Sequence, residues 1–148
     1  MPDAATTIDA FLDRIGVPFK RLDGDRWAVQ LAGERKLTIP VMLAITGERL
    51  AIECFFMRRP QENLPQFYEL LLRRNRRAYG VAFALDAVGD VYLVGQRAIE
   101  GLTEDDLDRI FGSILIEADG LFDAAIAIGF ESYLAADMAW RARVMGTN

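Results

Sequence analysis

Arginine side chains are the most prominent chemical groups in this 148-residue sequence. Guanidinium groups bind carboxylates and phosphates, so a cluster of them could hold an acidic partner, a phosphate compound or nucleic acid. The alternative is structural, because arginines in the last turns of a helix interact favourably with its free carbonyl groups. The cluster comprises Arg58, Arg59, Arg73, Arg74, Arg76 and Arg77, of which Arg58, Arg59, Arg73 and Arg77 are the candidate anion-binding residues.

Net charge restricts the partners that this cluster could bind. The sequence has 17 lysine and arginine residues against 22 aspartate and glutamate residues, a formal net charge of −5 at pH 7. Nucleic acids and anionic membranes attract proteins through a summed positive field, which this composition does not provide. Aromatic residues that could stack on bases are not interleaved with the arginines. Nucleic acid is therefore disfavoured as a partner, whereas a small anion or nucleotide stays open as a ligand.

Residues that commonly carry out catalysis are scarce. The sequence has no histidine, which is the commonest general base and a leading zinc ligand. Ser113 and Ser132 are the only serines, and neither lies in a motif that activates its hydroxyl. No Walker loop and no Gly-x-Gly-x-x-Gly motif is present. We therefore expect no enzyme activity and no cofactor, although carboxylate or arginine chemistry stays open.

Two other groups with reactive side chains have structural interpretations. Cys54 lies in an alternating apolar segment, which indicates a small buried side chain rather than a reactive thiol. An acidic run lacks the ligand spacing and the glycine of a calcium loop, so it indicates the start of a helix and no metal site. This run comprises Glu104, Asp105, Asp106 and Asp108.

Composition favours one globular domain over residues 1–148. Apolar residues make up 52% and charged residues 26% of the sequence, close to the globular average. No apolar run approaches the roughly 18 residues that cross a bilayer. The start, Met1-Pro2-Asp3-Ala4, lacks the features of a secretion signal, and a single cysteine cannot form an internal disulfide. We expect a cytoplasmic protein that does not contact membranes.

Apolar residues at helical spacing predict three main helices. Asn63 and Thr103 suit the N-cap positions of the second and third. The C-terminal extension, residues 131–148, suggests a further short helix laid on the body of the domain. The three main helices cover residues 3–15, 63–77 and 103–129.

Period-two alternation predicts five strands. Gly33-Glu34 and Gly47-Glu48 suit hairpin turns, which makes the sheet antiparallel, and Pro40 indicates an edge strand or a bulge. The order is therefore α-β-β-β-α-β-β-α, an α+β fold with a five-stranded antiparallel sheet and helices on one face. The strands cover residues 27–31, 37–45, 50–56, 80–85 and 91–94.

One face of this sheet is a candidate partner-binding surface. Phe55 and Met57 alternate with Cys54 and Phe56, so they face outward if the helices cover the latter pair. Exposed apolar groups often mark a partner surface, and methionine adapts to varied partners. The alternative is that the C-terminal extension or a second subunit covers this face. The candidate partner-binding residues are Phe55, Met57, Met42 and Ala51.

Two glycines fall inside the last main helix. Gly112 and Gly120 each cost about 1 kcal/mol there relative to alanine. Close packing would offset that cost, either against the rest of the domain or along a seam between two copies of the chain.

Four segments carry a pattern that occurs together in one family. They are Leu-Leu-Arg-Arg-Asn at 71–75, Phe-Ala-Leu-Asp at 83–86, Gly-Asp-Val-Tyr-Leu at 89–93 and Leu-Thr-Glu-Asp-Asp-Leu-Asp at 102–108. With the order of elements, they resemble the YbjN family, whose fold is shared with type III secretion chaperones of the Tir-chaperone class. The resemblance implies a bacterial, chaperone-like or regulatory module that binds a partner protein segment, is often dimeric and has no catalytic residues. We expect a homodimer on the same grounds.

Overall fold

The computed structural model describes residues 3–146. Four residues lie outside the described range: Met1, Pro2, Thr147 and Asn148. The first two belong to the segment considered for a secretion signal, and the last two end the expected C-terminal extension. Among the described helices, none is both long enough and apolar enough to span a membrane. In chain order the elements are α1 (Ala4–Ile15), β1 (Phe19–Leu22), β2 (Arg26–Leu31), β3 (Ile39–Thr46), β4 (Arg49–Met57), α2 (Leu64–Asn75), β5 (Ala82–Leu85), β6 (Val91–Ala98), α3 (Glu104–Gly129) and α4 (Glu131–Met145).

The six strands form one antiparallel sheet in the order β1-β2-β3-β4-β6-β5. The predicted α+β class is confirmed, but the predicted number of five strands was wrong. The additional strand is β1, in which Phe19 lies opposite Val29 of β2. Its four residues, Phe-Lys-Arg-Leu, are too few for an alternation of period two to be recognised.

Pro40 does not lie on an edge strand. β3 lies between β2 and β4, and its register with β2 runs unbroken through Pro40, which is opposite Gln30. The expectation of an edge or a bulge at this position was therefore wrong. Pairing with β4 begins one residue later, at Val41 opposite Cys54, so the missing N–H of Pro40 costs no bond to β4.

Helix α3 covers the inner face of the sheet. Its 26 residues contact β3 and β4 and also pack against α1 and α2. The sheet side chains beneath the helices, such as Leu43 and Cys54, are fully buried, as the sequence predicted for the cysteine. Phe11 of α1 meets Phe111 of α3 edge to face, with 5.1 Å between ring centroids. α1, α2 and α3 therefore share one side of the sheet, as predicted.

One of the two predicted N-caps forms and the other does not. The Thr103 hydroxyl accepts the Asp106 N–H at 3.2 Å, and the Asp106 carboxylate accepts the Thr103 N–H at 3.0 Å, which is a capping box. Asn63 precedes α2 with a φ of 56°, and within the described chain its side chain caps no N–H of that helix. Its amide instead donates to the Ile128 carbonyl oxygen at 2.8 Å and ties α2 to the end of α3.

Replacing Thr103 by alanine is expected to lower the free energy of unfolding by about 1 kcal/mol, because the hydroxyl that accepts the Asp106 N–H is lost. Thr103→Ser keeps that hydroxyl and is the matched control. Urea denaturation followed by circular dichroism measures both variants. Equal stability of the two variants would contradict the role assigned to the cap.

Candidate partner-binding surface

Within residues 3–146, the second face of the sheet is not covered by a helix, and we call it the open face. Alanines make much of it flat, and Glu53 stands exposed near its centre. Met42, which is 37% exposed, projects beside this carboxylate. One row of side chains crosses all six strands and comprises Lys20, Ala28, Met42, Glu53, Val94 and Ala82.

A neighbouring row adds aromatic side chains to the open face. Phe55 lies opposite Tyr92, and their rings meet edge to face with centroids 5.4 Å apart. Ala84 of β5 continues this row. The strand registers confirm that Phe55, Met42 and Ala51 face outward from the sheet, as predicted. Their role in partner binding stays a prediction.

A β-bulge in β4 gives Met57 a different orientation. Phe55 pairs with Tyr92, whereas Met57 pairs with the next residue, Val91, so Phe56 is the extra residue. Phe56 and Met57 both face the core, and Met57 is only 4% exposed. The expectation that Met57 faces outward was therefore wrong, because strict alternation ends at the bulge. Phe55 is the last side chain of β4 on the open face.

An apolar pocket lies beside this bulge, where β4 meets the end of α3 and the start of α4. Its volume is about 290 Å³. Lys36 Nζ lies 5.3 Å from the centroid of the Phe122 ring, and the Arg58 guanidinium lies 5.1 Å from that of Phe130. We call this site the aromatic pocket. Its lining residues are Lys36, Phe55, Phe56, Met57, Arg58, Phe122, Ile126, Phe130, Tyr133 and Leu134.

Asp119 of α3 holds Lys36 beside the pocket. Its carboxylate accepts the backbone N–H groups of Lys36 at 2.8 Å and Arg35 at 2.7 Å, which lowers the Asp119 pKa and fixes the loop between β2 and β3. Desolvation lowers the pKa of Lys36, whose ammonium forms no salt bridge with any carboxylate of the described chain. Burial also raises the pKa of the nearby Cys54 thiol to about 12, so this thiol is protonated at neutral pH.

The expected C-terminal helix is present as α4, but it is not laid on the body of the domain. None of its described residues is buried, and Tyr133 and Trp140 are 59% and 55% exposed. The start of α4 is attached to the loop before α2, because the Ser132 hydroxyl donates to the Glu62 carboxylate at 3.0 Å. Tyr133 and Leu134 line the aromatic pocket. α4 therefore leaves the open face uncovered and adds exposed apolar surface next to the pocket.

The predicted anion-binding arginines have separate surroundings. Arg58 lies at the aromatic pocket, and the backbone N–H of Arg59 donates to the Asp90 carboxylate at 2.8 Å. Arg73 lies in the last turn of α2, where the structural interpretation placed it, and its guanidinium pairs with Glu69 at 2.9 Å. The structure thus gives these residues different neighbours, and their role in anion binding stays a prediction.

Arg77, the fourth predicted residue, lines a cavity of about 570 Å³ between the end of α2 and the middle of α3. Gly112 opens onto it, since a Cβ added there would meet no described atom within 4 Å apart from the adjacent residues and the neighbouring backbone of its own helix. Close packing within the domain is therefore not found at Gly112, and packing against a second copy of the chain stays a prediction; at Gly120 the nearest atom, 3.7 Å away, is in ordinary contact. We call this site the arginine cavity. Its lining residues are Arg74, Arg77, Tyr79, Arg109, Gly112, Ser113, Ile116 and Glu117.

The acidic run that opens α3 is a helix start, as predicted. Asp106 completes the capping box and also accepts from Arg97 at 2.7 Å, while Glu104 pairs with Arg14 at 2.9 Å. In the part of the chain that the structure describes, no group of three or more histidine, cysteine, aspartate or glutamate side chains could hold a metal ion.

The sequence reasoning missed several residues of both sites. Lys36 lies in a loop and Phe122 lies near the end of α3, and no local pattern relates the two. A signal was present for the arginine cavity, because Arg109, Gly112 and Ile116 follow one another at helical spacing on α3. A basic residue and a glycine on one helix stripe indicate a break in the packed face.

Solved structures of other proteins share the fold of this chain. The chain is 16% identical to a chain of the ExoU–SpcU complex from the type III secretion system of Pseudomonas aeruginosa, with a TM-score of 0.59 over 78% of this chain and 95% of that one. It is 19% identical to a chain of the HopA1–SchA chaperone–effector complex, with a TM-score of 0.58 over 80% of this chain and 91% of that one. It is 18% identical to a chain of the complex between the Yersinia pestis type III secretion chaperone SycH and a YscM2 fragment, with a TM-score of 0.56 over 78% of this chain and 96% of that one. At these identities the likeness shows a shared fold, that of the type III secretion chaperones.

The chain belongs to the YbjN family, whose model matches residues 4–127 and is described as "Putative bacterial sensory transduction regulator". The resemblance drawn from the sequence is thus confirmed. An uncharacterized protein of Mycobacterium tuberculosis is 45% identical over 113 residues, which are 76% of this chain and 62% of that protein. A protein of Mycobacterium leprae is 37% identical over 116 residues, 78% of this chain and 63% of that protein. The chain therefore spans about three fifths of the length of the curated relatives it matches.

A pair of methionine variants tests which face of the sheet Met57 of β4 and Met42 of β3 occupy. Met57→Ala is expected to lower the free energy of unfolding by about 2–5 kcal/mol, because it leaves a cavity in the core. Met42→Ala on the open face is expected to change it by less than about 0.5 kcal/mol. Urea denaturation of both variants makes the comparison. A comparable loss at Met42 would show that the open face is covered in the free chain.

Proposed function

We propose that this chain is a non-enzymatic protein-interaction module, chaperone-like or regulatory, that works in the cytoplasm and binds a segment of a partner protein. The aromatic pocket is the single observation that carries this proposal. It joins an apolar lining to two cations, Lys36 and Arg58, neither of which forms a salt bridge with a carboxylate of residues 3–146. Apolar concave sites with a few placed charges are typical of binding sites.

The pocket's chemistry indicates the kind of segment that would fit. A volume of about 290 Å³ has room for an apolar anchoring side chain. An aspartate or glutamate next to that anchor would face Lys36, whose charge is only partly solvated, and would supply its missing counter-ion. The rest of the segment would extend from Phe55 across the flat alanine-rich part of the open face. We therefore propose an apolar segment with a neighbouring carboxylate as the occupant.

The structural neighbours support a partner protein over a small ligand at this surface. The ExoU–SpcU, HopA1–SchA and SycH–YscM2 structures each contain two different proteins in complex. The regulatory description of the YbjN family is compatible with a module that acts by binding another protein. Homodimerisation stays part of the proposal, and the exposed side chains of α4, including Trp140, are candidates for that contact.

Photo-crosslinking in the native cell tests the proposal. A photoreactive phenylalanine analogue replaces Tyr133, which lines the pocket and is largely exposed, so the fold should tolerate it. The same analogue at Val88, an exposed position in the turn between β5 and β6, is the control. We expect one discrete cross-link to a different protein from position 133 and none from position 88.

Charge reversal at the pocket completes this experiment. Lys36→Glu is expected to reduce the yield of the cross-link from position 133 by at least about tenfold, because repulsion replaces attraction at a close charge pair. Circular dichroism checks that the variant folds. Cross-links only to a second copy of the chain, or an equal yield from Lys36→Glu, would contradict binding of an acidic apolar segment.

A further inference from the structure

We infer that the arginine cavity is a second binding site, which takes a small organic phosphate with a planar body, the chemistry of a nucleotide. It is independent of the aromatic pocket, with which it shares no lining residue. Its volume of about 570 Å³ lies within the range of about 300–1,000 Å³ that is typical of small-molecule sites. The inference does not rest on the proposed protein partner.

Charge at the cavity favours an anion. Three arginines and one glutamate line it, so the lining has an excess of two positive charges. Glu117 is buried and pairs with Arg74 at 2.6 Å, which neutralises the glutamate and fixes that guanidinium. Arg77 and Arg109 form no salt bridge with any carboxylate in the described part of the chain.

Two such guanidinium groups on one cavity supply the donors that bind a phosphate. Each can donate two parallel N–H bonds to a pair of phosphate oxygens, which is the strongest form of this contact. Arg77 follows the end of α2 and Arg109 lies in the first half of α3, so they approach the cavity from two elements. A ligand between them would neutralise both charges.

The floor of the cavity favours a planar organic body over inorganic phosphate alone. Gly112 lies inside α3, where glycine is a poor helix former, and no described atom within 4 Å explains its presence through packing. Gly112 adds no side chain to a lining that also contains Tyr79 and Ile116, which are 51% and 63% exposed. The aromatic ring of Tyr79 is a group on which a base can stack, and the open space at Gly112 leaves room for that base.

The segment that carries Tyr79 is held firmly against α3. The Tyr79 N–H donates to the Ser113 hydroxyl at 3.0 Å. Gly80 follows with a φ of 74°, and a Cβ added there would lie 2.9 Å from Ile110 of α3, so the backbone approaches the helix closely. The cavity is therefore bounded by packed elements on both sides, which reduces the ordering that a ligand must impose.

Calorimetric titration of the full chain with AMP, adenosine and inorganic phosphate tests this inference. We expect AMP to bind. Adenosine lacks the phosphate and inorganic phosphate lacks the base, so each is expected to bind at least about tenfold more weakly than AMP. Failure of AMP to bind at millimolar concentration, or equal binding of AMP and adenosine, would overturn the inference.

Three variants locate the site. Arg77→Gln combined with Arg109→Gln is expected to weaken AMP binding by at least about tenfold, whereas Arg76→Gln, which removes a charge outside the lining, should leave it within about twofold. Gly112→Leu should fill the floor and abolish binding without lowering the melting temperature, since leucine is the better helix former.

Three results with these variants would overturn the inference. Unchanged AMP affinity in the double variant would overturn the inference. So would a Gly112→Leu variant that keeps its AMP affinity. If Gly112→Leu instead changes the molecular mass in solution while wild-type chain binds no AMP, the cavity is a contact between two copies and the inference is wrong.

Discussion

The six-stranded sheet has two faces, and the described helices that pack against it lie on one side. α3 lies along the inner face, where Leu43, Ile52 and other apolar side chains are excluded from water. The opposite face must therefore remain compatible with water in the free chain, and it is built from alanines and polar residues such as Glu53 and Lys20. The few large apolar groups on it, Met42 and Phe55 among them, are exceptions to that pattern. This one-sided covering determines which surfaces are open to a partner.

The bulge at Phe56 connects this constraint to the aromatic pocket. Without the extra residue, strict alternation would direct Met57 outward, whereas the bulge directs both Phe56 and Met57 to the core. Phe55 is left as the last outward group of β4, beside the start of α4. Asp119 then brings Lys36 to the same place through two backbone hydrogen bonds. A bulge and one contact between α3 and a loop therefore create a charged apolar pocket at a sheet that is otherwise regular.

Local patterns predicted most of the fold, because caps and alternation act over a few residues. Thr103 and Asp106 form the expected capping box, and the family resemblance read from residues 71–108 is confirmed. β1 was missed because four residues contain too little alternation. Met57 was misplaced because a bulge depends on pairing between strands. The pocket could not be assembled from sequence, since Lys36, Phe122 and Tyr133 are far apart along the chain and meet only through tertiary packing.

We propose that the open side of the domain, from Phe55 to the start of α4, receives a partner protein. Hydroxyl-radical footprinting with mass spectrometry measures it directly, by comparing oxidation of Phe55 and Tyr133 in the purified chain and in native cells, each relative to Val88. We expect both residues to be oxidised in the purified chain and protected several-fold in cells, because a partner would exclude water from them. Equal relative oxidation in the two settings would contradict the claim.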